Sequence, residues 1–170
     1  MANILMIIAP ENFRDEELFH TKEELEKAGN KITIASKKLG KCNGTLGGTA
    51  EATISIDKVS EKDYDAVVYV GGAGAQVYFL DKSAQKIAKD FFNAGKIVAA
   101  ICIAPAILAN AGVLKGKRAT CYPSEQEILE DNDCRYTGKS VEFDDKIVTA
   151  NGPASARLFG KKLAEMLKVN

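Results

Sequence analysis

Cys102 closes the β-branched run Ile97–Ile101 and stands three residues before Pro105, which opens a second apolar stretch ending at Ala111. A cysteine on so tight a strand-to-helix turn is in the position of a nucleophile. The turn strains its backbone and crowds the residues two places to either side, which must therefore be small. Here they are Ala100 and Ala104. Pro105 suits the first turn of a helix, where a missing N–H leaves no bond unmade. Unpaired amides and the dipole at that helix start are expected to favour a thiolate at Cys102. The competing reading is a small core cysteine at a strand end, which is common in buried sheets.

The remaining thiols have weaker claims. Cys121 follows a short strand and is placed to line the same pocket, whereas Cys42 and Cys134 fall in polar stretches with no activating neighbour. There is no Cys-x-x-Cys pair and His20 is the only histidine, so no metal site is expected. In a reducing compartment all four cysteines should be free thiols.

Two further features belong with Cys102. Gly71-Gly72-Ala73-Gly74 follows the apolar run Asp65–Val70, and its amides are suited to an oxyanion hole. It lacks the Gly-Lys-Ser/Thr ending and the Gly-x-Gly-x-x-Gly spacing of nucleotide loops, and a plain strand-to-helix turn is the alternative. Glu17 lies early in a charged helical stretch, where the helix dipole by itself accounts for an acidic residue. That helix start also faces the pocket, so the carboxyl group has a second use as a partner of the thiol. His20, one turn further on, points away from the strand ends and is expected at the surface or a subunit contact. A Cys-His-acid triad within the chain is therefore not expected.

The elements that must position these residues alternate. Strands are read at Asn3–Ile8, Lys31–Ala35, Asp65–Val70, Ile97–Ile101, Arg118–Cys121, Val141–Phe143 and Ile147–Ala150, with a hairpin or edge strand at Ala52–Ile56. Helices are read at Asp15–Ala28, Ser83–Ala94, Pro105–Ala111 and Ala154–Leu167, the first three closed by Gly29, Gly95 and Gly112. Continuous apolar strands between helices predict a mostly parallel sheet covered on both faces, a flavodoxin-like α/β three-layer sandwich. Ligands of such sheets bind beyond the carboxyl ends of the strands. The turns at residues 11–17, 71–75 and 102–104 all fall there.

The 170 residues are expected to form one domain, with 46% hydrophobic and 27% charged residues in the ordinary globular range. Twenty-three basic residues balance 23 acidic ones, which gives no electrostatic reason to expect nucleic acid or a membrane surface as partner. The apolar stretch from Ile97 to Leu114 approaches spanning length, but Pro105, Asn110 and Gly112 interrupt it. The first apolar run lacks a basic leader and cleavage site, so a cytoplasmic protein is expected.

With these residues assembled, the chain resembles the PfpI superfamily, which includes PfpI-type intracellular peptidases, the parkinsonism-associated deglycase and glyoxalase III enzymes. The resemblance runs through Glu17, Ala28-Gly29, Val70-Gly71-Gly72, the elbow Ala99-Ala100-Ile101-Cys102-Ile103-Ala104-Pro105 and Tyr122-Pro123. It implies Cys102 as nucleophile and Glu17 as the buried carboxyl group bonded to it. It further implies Gly72 and Ile103 as amide donors to an oxyanion, and Gly71, Ala73 and Tyr122 as pocket residues.

One departure bears on activity. Peptidase members carry histidine directly after the cysteine, and here that residue is Ile103. The resemblance thus points to cofactor-free glyoxalase III or deglycase chemistry on a small-molecule carbonyl substrate, which needs only Cys102 and Glu17. Redox sensing through an oxidisable Cys102 is the alternative, and peptidase activity a weaker one. Superfamily members self-associate, so a homodimer or higher homo-oligomer is expected.

Overall fold

The structure is a computed structural model that describes residues 1–168. Seven strands form the central sheet in the spatial order Val141–Asp144, Ile147–Ala150, Ile97–Ile101, Ala66–Tyr69, Asn3–Ile7, Lys31–Ser36 and Ile54–Ser55. Every neighbouring pair is parallel except the first, where Val141–Asp144 runs antiparallel to Ile147–Ala150 on the sheet edge. The two central strands, Ala66–Tyr69 and Ile97–Ile101, are buried along their whole length. Both faces are covered by helices, so a side chain pointing either way must be apolar, as the uninterrupted sequence Ile-Val-Ala-Ala-Ile requires.

Five α-helices cover the sheet: α1 (Asp15–Lys27), α2 (Lys82–Asn93), α3 (Pro105–Asn110), α4 (Gln126–Asp131) and α5 (Ala156–Lys168). Strand alternation sorts the core into two layers. On one face Met6, Val68, Ala99 and Ile101 meet Leu18 and Leu25 of α1 and Phe159 and Leu163 of α5. On the other, Leu5, Ile7, Val67 and Val98 meet Ile87 and Phe91 of α2, Ile107 of α3 and Leu129 of α4. This is the flavodoxin-like three-layer sandwich that the alternation of elements predicts.

α1 and α5 approach closely because Gly160 has no side chain: a Cβ there would meet Glu24 Cβ at 2.9 Å and the Thr21 carbonyl at 3.1 Å. Thr21 Oγ1 donates to the Ala156 carbonyl at 3.4 Å, and Arg157 pairs with Glu24 at 2.8 Å. The contact fixes the start of α1 against the rest of the fold, and with it Glu17.

Several segments differ from the sequence reading. Ala52–Ile56 divides: Thr49–Ala52 pairs antiparallel with Gly40–Gly44, and Ile54–Ser55 joins the sheet edge beside Lys31–Ser36. Gly40–Gly44, glycine-rich and therefore poor in strand signal, also pairs with the short strand Glu11–Phe13. Cys42 sits in that strand with 1% exposure, and Cys134 is buried at 7% beside the strand Arg135–Tyr136. Cys42 is therefore in a strand rather than a polar loop, whereas Cys134 does lie in the loop between α4 and that strand but is folded under apolar neighbours. α4 and a 3-10 turn at Ala73–Tyr78 were unread because each is short and weakly periodic.

Candidate active site

Cys102 has φ 66°, the left-handed region that side chains with a Cβ seldom adopt. Strain of this kind costs roughly 1–3 kcal/mol and persists only where the surroundings hold it. Here the amide of Cys102 donates to the Ala150 carbonyl at 2.9 Å, and its carbonyl accepts from the Tyr122 amide at 2.8 Å. Ala104 then donates back to Ile101 at 3.1 Å and closes the turn into α3. Ala100 and Ala104 are both fully buried, as the elbow geometry demands. Cys102 itself is 8% exposed.

Glu17 arrives from α1 on the same side of the sheet. Its exposure is 0%, and the turn before it is anchored twice. The Arg14 amide donates to the Gly71 carbonyl at 2.9 Å. The Asp15 carboxylate accepts the Leu46 and Gly48 amides at 2.8 and 2.7 Å, fastening the hairpin turn to the helix start.

Gly71 lies between the two reactive groups. A Cβ at this position would run into Glu17 Oε1 and would come within 2.7 Å of both Cys102 Cβ and the Ile101 carbonyl. Gly72 has φ 99°, and a Cβ there would strike the Arg14 amide and the Asn12 carbonyl. The Gly-Gly pair therefore answers two separate needs, close approach at 71 and a left-handed backbone at 72.

The electrostatics of the pair follow from burial. Neither Glu17 oxygen closes a hydrogen bond of normal geometry; the Cys102 thiol and the Gly71 amide are the polar groups that face it. Burial pushes the Glu17 carboxyl up from 4.5 to about 7. Burial, then the Glu17 charge and hydrogen bond, push the Cys102 thiol up from 9.0 to about 12, against the Gly72 and Ile103 amides that favour its ionised form.

Two groups this close titrate as a unit. Between these two values the pair holds one proton and one negative charge. That proton stays on the sulfur, and the thiol faces the Glu17 carboxylate together with the Gly72 and Ile103 amides. This corrects the expectation that a helix N-terminus lowers the thiol. Beside the six-residue α3, burial and then the Glu17 charge raise the thiol, and the facing amides only oppose that rise.

The other candidates fall less tightly around the sulfur. Tyr122 is half exposed, with Cδ1 facing Gly152, so its ring borders the opening rather than lining its floor. Ala73 is exposed at the start of the 3-10 turn. Cys121 is fully buried in the α2–α3–α4 layer, on the opposite side from Cys102, so it does not line the site. His20 is half buried, near Glu16 rather than near the sulfur.

Arg14 was not singled out by motif or spacing. Its guanidinium pairs with Glu16 at 2.8 Å, and its charge reaches both Glu17 and Cys102. Among the described residues no group of three or more His, Cys, Asp or Glu gathers as a metal site. No helix of the described residues is long and apolar enough to cross a membrane.

A parallel α/β sandwich with a strained cysteine elbow opposite a buried glutamate defines a class, and sequence comparison agrees. The chain belongs to the DJ-1/PfpI family, whose model matches residues 2–166. It is 40% identical to an uncharacterised protein of Methanocaldococcus jannaschii, over 99% of this chain and 84% of that one. It is 30% identical to a deglycase of Pyrococcus abyssi, over 96% of this chain and 99% of that one. The crystal structure of a ThiJ/PfpI domain protein from Brachyspira murdochii superposes with a TM-score of 0.97 at 34% identity, covering 99% of this chain and 97% of that one.

Proposed function

We propose that this protein is a cysteine-dependent, cofactor-free carbonyl-processing enzyme of the glyoxalase III or deglycase type, acting on small 2-oxoaldehydes or their adducts. The observation that carries the reading is the isolated Glu17–Cys102 pair, buried and without an imidazole beside it. Similarity to a protein named as a deglycase supports the same class.

In this reading Cys102 Sγ attacks the aldehyde carbon of methylglyoxal, and the carbonyl oxygen becomes the hydroxyl of a hemithioacetal. The Gly72 and Ile103 amides stabilise the oxyanion as it forms. Glu17 then removes the proton from the former aldehyde carbon and returns one to the neighbouring carbon, converting the hemithioacetal to a thioester of lactate. Water cleaves the thioester, releasing lactate and restoring the thiol. The net change is methylglyoxal plus water to lactate. The deglycase variant begins instead from an adduct of the aldehyde on an amine.

The test is lactate release from methylglyoxal by the purified protein. Activity is expected in the wild type and absent in Cys102→Ala; equal rates in both, or none in the wild type at high enzyme concentration, would remove the proposal. Cytoplasmic location and self-association as a homodimer or higher homo-oligomer complete the reading, and sedimentation of the purified chain tests the latter.

A second reading, redox sensing, draws on the same sulfur. A strained sulfur faced by the Gly72 and Ile103 amides, which favour its ionised form, is suited to oxidation to sulfenic and then sulfinic acid. Mass spectrometry after mild peroxide should find Cys102 modified before Cys42 and Cys134. Peptide cleavage finds less support, because Ile103 supplies no base.

A further inference from the structure

Arg14 and the surface beside it have no part in the chemistry above. The residue's backbone lies against Gly71 and Gly72, with its amide on the Gly71 carbonyl at 2.9 Å, so its side chain starts at the rim of the Cys102 site. The side chain is 35% exposed, and its charge is felt at both Cys102 and Glu17. Arg14 also lines a cleft of about 540 Å³, together with Glu16, His20, Pro153, Ala154 and Arg157. Arg14 thus lines a cavity large enough for the non-reacting part of a substrate, while its backbone packs on the Gly71-Gly72 loop and its charge is felt at the nucleophile.

The resting partners of the cleft's cations are within the chain. Arg14 Nε and Nη2 fork onto the two oxygens of Glu16 at 2.8 and 3.0 Å, and Arg157 pairs with Glu24 and Glu23 at 2.8 and 3.5 Å. Exposed pairs of this kind contribute little to stability, so exchanging one carboxylate for another is inexpensive. The Glu16 fork also holds the guanidinium plane in a set orientation, the geometry that receives a planar or tetrahedral oxyanion.

We propose that this cleft is an anion subsite in which Arg14 receives the carboxylate or phosphate of a carbonyl substrate whose aldehyde lies at Cys102. The substrate class is then an acidic carbonyl compound or an adduct on an acidic carrier, rather than a neutral 2-oxoaldehyde alone. This inference rests on the proposed carbonyl chemistry for its meaning, but its test does not depend on turnover.

The test compares alkylation of Cys102 by iodoacetate and by iodoacetamide, followed by peptide mass spectrometry. The reagents are alike in size and leaving group: in each the sulfur–carbon bond forms, the carbon–iodine bond breaks and iodide leaves. They differ by one negative charge. The ratio of iodoacetate to iodoacetamide rates is expected to fall roughly fivefold in Arg14→Gln, to be retained in Arg14→Lys, and to shrink toward unity of effect in high salt. Glu16→Gln, which frees the guanidinium, should raise it.

Pyruvate and inorganic phosphate, tested separately as protectants of Cys102 against iodoacetamide, distinguish a carboxylate subsite from a phosphate one. A rate ratio unchanged by both Arg14→Gln and Glu16→Gln, or protection by neither anion, overturns the subsite. Absent turnover of methylglyoxal with the charge preference intact overturns the carbonyl chemistry and leaves the subsite standing.

Discussion

The amide of Arg14 donates to the carbonyl of Gly71 at 2.9 Å, joining the first turn of α1 to the loop that faces the nucleophile. Because Glu17 follows three residues later in the first turn of the helix that Arg14 precedes, this bond helps to set, with the Asp15 anchors, how far the carboxyl group stands from Cys102. The glycine at 71 then decides whether the two can meet at all.

Gly71→Ala is expected to separate the pair. The added Cβ would overlap Glu17 and approach Cys102 Cβ and the Ile101 carbonyl at 2.7 Å, two of them groups that cannot swing aside. Overpacking at such a site costs about 1–3 kcal/mol. Chemical denaturation should register that loss, and lactate production from methylglyoxal should fall further than stability does.

Alkylation of Cys102 should stay slow through the ordinary cysteine range and rise only toward about 12, because burial and the Glu17 carboxylate keep the thiol protonated. In Glu17→Gln that inflection should move down, because the carboxylate repulsion is gone. Iodoacetamide kinetics across pH measure both. Turnover in Glu17→Gln should drop by roughly 10²–10⁴-fold, the range for loss of a positioned acid–base group.

Stability carries the same signature with a definite sign. The folded state holds the Glu17 proton more tightly than the unfolded chain, since burial raises its pKa from 4.5 to about 7. Its contribution is therefore fully present below 4.5 and is lost as pH rises to about 7. The displacement corresponds to an upper bound of about 3 kcal/mol. Glu17→Gln should be more stable than the wild type at pH 8 and should lose that advantage at pH 4; thermal melts at the two pH values check it.

Cys121→Ala should separate the thiols by function. Cys121 is buried in the layer opposite the site, so its removal should cost about 1 kcal/mol in packing and leave turnover within about twofold. Loss of activity matching that of Cys102→Ala would contradict the assignment of the two residues to different faces.

Much of this was legible in the residues. Ile97–Ile101 followed by a cysteine between small neighbours and then Pro105 specifies an elbow locally, because the strand, the turn and the helix start each follow from adjacent side chains. The parallel sheet was equally legible, since strands buried on both faces have no polar alternation to mislead. Two associations were not. Cys42 and Cys121 were misplaced because burial on a given layer depends on which distant helices cover it.

What the sequence by itself determined is a strained thiol at the carboxyl end of a parallel sheet, with Glu17 and Gly71-Gly72 as candidates for its surroundings. Only the tertiary structure decided that the thiol meets a carboxyl group in a dry space and so is raised rather than lowered. The reason is that a helix start acts on Cys102 through neighbouring residues, whereas desolvation and the Glu17 charge arise from α1 and the Gly71 loop packing together across 85 residues of chain, from 17 to 102. Arg14 came to the rim by that same packing, which no local pattern announced.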